Sequence, residues 1–148
     1  MHCIKIIIWL QTSWLTKDQR TKLDGFHAKC VRKIIGVSHS YWSRVTNLEV
    51  FSRVHGCSLS NLLLEQQLVG FGKIFRKPDD DIMRQNIFQS NSSHLQIHTV
   101  RRRRGRPKMN WANEVEKHAQ IISDGTMGVS MVDAVHWKKM VRNYCRNK

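Results

Sequence analysis

Three adjacent carboxylates, Asp79, Asp80 and Asp81, are the residues of this sequence that most suggest a metal site. They directly follow Lys77 and Pro78, which would end a preceding helix. Acidic residues in a first helical turn complement the helix dipole. We therefore favour a short helix from Asp79 to about residue 88 over a metal site.

Histidine and cysteine residues offer a second set of metal ligands. His27 and Cys30 lie one helical turn apart, His55 is close to Cys57, and His94 and His98 fall in a polar stretch. A structural zinc ion needs four converging ligands, and no second pair has the spacing of a zinc finger or knuckle. The sequence also lacks Gly-x-Ser-x-Gly and Gly-x-x-x-x-Gly-Lys motifs. We predict no catalytic residue, no metal and no cofactor.

The cysteine pattern indicates a reducing compartment. The four cysteines are scattered without a Cys-x-x-Cys pair, and no secretory signal is evident: Cys3, Cys30, Cys57 and Cys145. The apolar run at residues 6–10 is too short for a signal sequence or a membrane span. Free thiols and a nuclear or cytoplasmic location are expected.

Positive charge is the most unusual property of the sequence. The formal net charge is +14 over 148 residues, and residues 101–108 carry six cations and no acid. Like charges this dense repel one another, so this basic arm is predicted to stay extended until it meets an anion. Nucleic acid is the expected partner, ahead of an acidic membrane surface. The predicted contacts are Arg101, Arg102, Arg103, Arg104, Gly105, Arg106 and Lys108 in the arm, with Lys29, Arg32, Lys33, Lys138 and Arg142 on helices.

Within the arm, Arg104, Gly105, Arg106 and Pro107 resemble the core of an AT-hook. Glycine would let the backbone reach the floor of a narrow A·T-rich minor groove, and arginine favours the negative potential there. Unspecific phosphate binding is the favoured alternative, and a nuclear-import signal or a plain linker also remains open.

Tyr41 and Trp42, between His39 and Arg44, have two interpretations. Their rings could stack on unpaired bases. The favoured interpretation places them in the core between the first two helices.

Hydrophobic periodicity predicts a mainly α fold, an irregular helical bundle in two blocks joined by a basic extended linker. Residues 1–15 are a strand-like remnant of a preceding domain, residues 16–88 a helical block, residues 89–108 the polar and basic linker, and residues 109–148 a C-terminal helical pair. Thr16 with Gln19 and Thr46 with Glu49 form predicted capping boxes, Gly36 ends the first helix, and Ser58 and Asn110 begin later ones. Ser130 with Asp133 is predicted to cap the last helix.

The first predicted helix carries an apolar stripe at three- and four-residue spacing, and the third contains two glycines. The stripe comprises Leu23, Phe26, Cys30, Val31, Ile34 and Ile35. Gly70 and Gly72 cost roughly 1 kcal/mol each in a helix relative to alanine. They are predicted where another backbone comes close.

Several segments in the same order resemble the region that follows the polymerase core in LINE-type (non-LTR) retrotransposon reverse transcriptases. They are residues 23–37, residues 44–50, residues 64–68 running into residues 71–73, Arg104 to Pro107 ahead of Trp111, and the late helix with Trp137. The resemblance covers roughly residues 9–146. It departs at Gly72-Lys73, where the family commonly has Gly-His, which puts any role of that histidine in doubt.

The resemblance implies a segment located after the palm domain of an RNA-directed DNA polymerase, with at most the last palm strand in residues 4–10. The adjacent aspartate pair that holds two metal ions in the palm is missing. The expected function is non-catalytic binding of template RNA or target DNA, with nucleic acid and an upstream polymerase domain as partners and no membrane. The alternative is a protein-interaction module or a non-functional relic of a decayed retroelement.

Overall fold

Helices form nearly all the regular structure in the computed structural model, which describes residues 13–54, 56–96 and 110–146. This confirms the predicted mainly α fold. The helices are α1 (Lys17–Ile34), α2 (Ser40–Ser43), α3 (Asn47–Arg53), α4 (Leu59–Phe75), α5 (Ile82–Gln85), α6 (Trp111–Ile122), α7 (Met127–Val132) and α8 (Ala134–Arg146). The strand predicted at residues 4–10 lies outside the described ranges.

Helix α4 is the centre of the fold, because α1, α5, α6, α7 and α8 all pack against it. The two predicted helical blocks therefore share one core. Its buried members come from both: Leu64, Leu68, Phe71, Phe88, Val115, Ala119, Met127, Met131, Trp137, Val141 and Cys145. Burial of large apolar side chains such as these contributes about 1.5–3 kcal/mol each to folding.

A smaller core joins α1 to α3. Ala28 and Val31 of α1 pack on Val50 and Phe51 of α3. A polar contact fastens this unit to α4, since Asp24 accepts hydrogen bonds from the backbone N–H and the hydroxyl of Ser60 at 2.8 and 2.6 Å. Helix α1 thus packs against α4, and Asp24 adds a polar contact between the two helices.

Most predicted helix boundaries are confirmed by their caps. Thr16 and Gln19 form the complete capping box, and the side chains of Thr46, Ser58 and Asn110 cap α3, α4 and α6. Gly36 ends α1 with a φ of 70°, and the N–H of Val37 donates to the carbonyl of Arg32. The second capping box is only half formed. Glu49 pairs with Arg53 at 2.9 Å instead of capping.

The C-terminal part differs from the predicted helical pair, because a third helix, α7 (Met127–Val132), lies between α6 and α8. Ser130 belongs to α7, so it does not cap the last helix. Asp133 alone fulfils that role, because its carboxylate accepts the N–H of Val135 at 2.8 Å. Asp133 has extended backbone dihedral angles, so it both ends α7 and caps α8.

The beginning of the predicted linker is folded. Phe88 and Leu95 form an antiparallel bridge, and the N–H of Gln96 donates to the carbonyl of Ile87. Phe88 is buried in the main core between α4 and α5. Residues 88–96, most of which belong to the predicted linker, are therefore joined to the bundle by these contacts.

The prediction that the apolar stripe of α1 is buried is only partly correct. Val31 is buried, but Phe26 and Ile34 are exposed. The inward face instead includes Asp24 and Arg32, whose polar atoms have hydrogen-bond partners. Burial of polar groups becomes acceptable when they are paired in this way.

Candidate nucleic-acid interface

The whole basic arm lies outside the residues that the structure describes. Seven of the predicted nucleic-acid contacts belong to it: Arg101, Arg102, Arg103, Arg104, Gly105, Arg106 and Lys108. The described chain stops at Gln96 and resumes at Asn110, directly ahead of α6. The other five predicted contacts can be placed on helices.

Arg32 does not belong to a nucleic-acid-binding surface. Its side chain is buried, with a residue exposure of 5%, and its guanidinium donates to four oxygen atoms. The acceptors are the carbonyls of Ser38 and Val45 at 3.2 and 2.5 Å, the Ser43 hydroxyl at 3.4 Å and the Asn47 amide oxygen at 3.2 Å. Arginine suits this task, because its planar fork presents five donors in fixed directions. Arg32 therefore holds the segment from Ser38 to Asn47 in place.

Lys29 and Lys33 lie on the outer face of α1 as predicted. Both are exposed, and neither forms an ion pair within the described ranges. They flank the buried position of Arg32 along the helix. An anion can reach their ammonium groups without any rearrangement of the core.

The segment held by Arg32 carries Tyr41 and Trp42, and their predicted place in the core is wrong. Their exposures are 77% and 78%. The rings meet edge to face, with centroids 5.1 Å apart and planes at 89°. In the same segment it is the Ser43 hydroxyl that contacts the guanidinium of Arg32, while both rings remain outside the hydrophobic cores. Sequence periodicity could not reveal that a charged residue would take this inner position.

The two predicted contacts on α8, Lys138 and Arg142, are both exposed, but they differ in their ion pairs. Lys138 is exposed and has no ion pair among the described residues. Arg142 approaches Glu65 of α4, with Nε and Oε1 3.5 Å apart and the arginine side chain half exposed. Arg142 therefore joins α8 to α4 while keeping part of its guanidinium in solvent.

The helix predicted from Asp79 to about residue 88 is shorter, since α5 comprises only Ile82–Gln85 and none of the three adjacent acids lies in its first turn. Asp81 caps α5 by accepting the N–H of Met83 at 2.8 Å, and a hydrogen bond from Lys77 lowers the pKa of its carboxyl group. Asp79 pairs with Arg84 at 2.6 Å, and Arg84 also donates to the carbonyl of Phe75. These contacts fix the turn between α4 and α5.

A cleft of about 630 Å³ between α1, α4 and α8 was not predicted. It is lined by His27, Cys57, Glu65, Arg142 and Cys145, among others. Burial lowers the pKa of His27 and raises that of the Cys57 thiol. Cys57 is thus kept in its thiol form near neutral pH, which is the poorer nucleophile.

Metal ligands do not converge anywhere in the described part of the chain, where no three His, Cys, Asp or Glu side chains form a group that could hold an ion. Cys30 and Cys57 are free thiols. His27 stacks on Phe51 with centroids 5.1 Å apart, and its Nδ1 is buried without a hydrogen-bond partner.

Within the described ranges, no helix has the length and apolar character that crossing a bilayer requires. The sequence matches no protein-family model, no curated protein and no solved structure.

Proposed function

We propose that this chain is a non-catalytic nucleic-acid-binding segment, of the kind that follows the polymerase core in LINE-type reverse transcriptases. In this role it grips template RNA or target DNA through the basic arm and acts together with an upstream polymerase domain. It needs no cofactor. The resemblance of its sequence segments and its charge distribution support the proposal.

The observation that carries the proposal is the segregation of charge. No Asp or Glu occurs between Asp81 and Glu114, and this stretch contains all six cations of the arm. Elsewhere, several acids already have partners inside the fold. Glu49, Glu65, Asp79, Asp81 and Glu114 each form an ion pair. Polyanions are the partners that such an excess of unpaired cations attracts most strongly.

The fold supplies a suitable support for the arm. Its C-terminal end leads directly into α6, whose Val115 and Ala119 are fully buried in the main core. A nucleic acid bound to the arm would therefore be connected to the whole helical bundle. Lys29, Lys33 and Lys138 extend the positive field onto the surface of the bundle.

The salt dependence of binding tests this proposal. Each phosphate contact on duplex DNA contributes about −0.9 to the slope of log affinity against log salt concentration. Changing Arg101, Arg102, Arg103 and Arg104 together to alanine should flatten the slope by about three to four units. Fluorescence anisotropy with labelled duplex DNA and single-stranded RNA at several salt concentrations measures it.

A charge-matched variant provides the control. Replacing the exposed Lys17, Lys22, Lys73 and Lys117 by alanine removes the same formal charge away from the arm. This variant should alter the slope far less. If both variants flatten the salt slope equally, the arm contributes no more to binding than other surface cations do. If the arm variant leaves the slope unchanged, the binding surface lies on the helices instead.

A second candidate is a protein-interaction module, which the exposed apolar side chains of the N-terminal helices favour. Phe26 and Ile34 of α1 and Leu48 of α3 are all more than half exposed. Apolar groups left in solvent often mark a docking surface. Under this function, polar replacements at these positions would abolish co-purification with the upstream polymerase domain and leave the salt slope unchanged.

A further inference from the structure

We propose that Tyr41 and Trp42 form a stacking platform for unpaired bases, so that the chain binds single-stranded nucleic acid at α2 in addition to its arm. This inference rests on the proposed nucleic-acid-binding function and adds a site and a preferred form of the partner. It is carried by three observations on the segment from α1 to α3.

The first observation is the exposure of both rings. More than three quarters of each residue is in contact with solvent, and the rings touch each other only edge to face. The edge-to-face contact covers one face of one ring, and the high exposure of both residues leaves at least one face of each ring open to solvent. Bases stack on such faces without regard to sequence, because every base has a π-face of its own.

The second observation is that the segment is fixed in shape. The guanidinium of Arg32 binds the carbonyls of Ser38 and Val45 from inside, and the Ser43 hydroxyl donates to the carbonyl of Ser38. The ring Nδ1 of His39 also accepts the N–H of Tyr41 at 3.3 Å. Side chains carried on a rigid segment lose less conformational entropy on binding, which favours affinity.

The third observation is the charge around the rings. No Asp or Glu occurs in residues 25–48, and Lys29, Lys33 and Arg44 of this stretch are exposed. Arg44 directly follows α2 with a left-handed φ of 53°. Bases can stack on a surface only if their phosphates are tolerated beside it, and cations without nearby acids provide this condition. Charge complementarity thus selects a nucleic acid over an apolar protein partner.

Changing both rings to alanine in the full chain tests the platform. Because Tyr41 and Trp42 lie outside both hydrophobic cores, this variant should fold like the wild type. The Kd for oligouridine and for oligothymidine of about 16 nucleotides should rise about 5- to 100-fold. The Kd for a duplex of equal length should change by about twofold or less, because paired bases cannot reach the rings. A difference between the two oligomers would separate RNA from DNA as the preferred strand.

Two further variants sharpen the experiment. Trp42→Phe keeps an aromatic face and should retain most of the single-strand affinity, while losing the quenching of tryptophan fluorescence that stacking on Trp42 produces. Val135→Ala removes an equally exposed apolar side chain from α8 and should leave every affinity unchanged.

The outcomes separate this inference from the function on which it rests. An unchanged single-strand Kd in the double variant, or an equal loss on duplex and single strand, would overturn the platform. Loss of association with a protein but not with oligonucleotides would assign the rings to a protein partner instead. If the arm variant still weakens all binding, the proposed function stands without the platform. A wild-type chain that binds no oligonucleotide would overturn both.

Discussion

The indole of Trp137 occupies the space that a side chain at Gly72 would need. A Cβ on Gly72 would lie 2.5 Å from Nε1 and 2.6 Å from Cδ1 of Trp137, which is closer than carbon atoms tolerate. The indole N–H donates to the carbonyl of Leu68 at 3.0 Å in the buried core. Gly72 and Trp137 thus bring α4 and α8 close together, and the absence of a side chain at Gly72 makes this packing feasible.

Gly72→Ala should therefore destabilise the fold by about 1–3 kcal/mol, the usual effect of inserting a methyl group into a filled core. Gly70→Ala, two residues away on the same helix, is the matched control. A Cβ there meets nothing within 4 Å, and alanine raises helix propensity by about 1 kcal/mol. Urea unfolding followed by circular dichroism measures both. Equal stability of the two variants would contradict the packing of Trp137, and a non-cooperative transition in the wild type would favour a poorly folded relic.

Arg32→Ala should cost about 2–3 kcal/mol of stability, because it removes hydrogen bonds from a charged donor and leaves the carbonyls of Ser38 and Val45 without this partner. Lys33→Ala, at the adjacent exposed position, should change stability by about 0.5 kcal/mol or less. Thermal unfolding of the two variants makes the comparison. If Arg32→Ala is as stable as Lys33→Ala, Arg32 is a surface residue and returns to the list of nucleic-acid contacts.

Helix boundaries could be predicted from the sequence because their causes are local. The capping residues Thr16, Ser58 and Asn110 bond to backbone groups two or three positions away, so the sequence alone contains the whole interaction. Gly36 ends α1 for an equally local reason, its positive φ. Asp81 likewise caps α5 through a nearby backbone group, the N–H of Met83.

Contacts between distant residues could not be predicted. Gly72 was expected to admit another backbone, but it admits the ring of Trp137, which lies in a different helix. Arg32 was predicted to face solvent as a nucleic-acid contact, and a core position was favoured for Tyr41 and Trp42. The structure reverses both assignments. Hydrophobic patterns assume that charged residues face solvent, and this assumption fails where backbone carbonyls surround a guanidinium.

The pH dependence of stability should include a contribution from His27. Burial lowers the pKa of His27 in the folded state, although Asp24 opposes the shift. The unfolded chain, with a histidine pKa of about 6.5, therefore takes up a proton first as the pH falls. Stability should be fully present above about pH 6.5 and decline below it until His27 also titrates in the fold.

His27→Gln should flatten this decline, although it also removes the ring stacked on Phe51 and lowers stability at every pH. His136→Gln, the same substitution at an exposed position of α8, is the matched control. Urea midpoints at several values between about pH 7.5 and pH 5 measure the slope. A decline as steep in His27→Gln as in the wild type would exclude His27 as its source.

Gly105→Ala distinguishes the two ways in which the arm could hold DNA. If the arm enters the minor groove, a Cβ at this position collides with the groove walls, and affinity for A·T-rich duplex should fall by about 1–3 kcal/mol while G·C-rich duplex is unaffected. If the arm follows the phosphates, the substitution leaves the charge intact and all ligands respond alike. We expect the second result, because six cations in eight residues already account for the attraction. Binding of wild type and Gly105→Ala to both duplexes at one salt concentration decides between them, and a loss confined to the A·T-rich duplex would establish groove recognition.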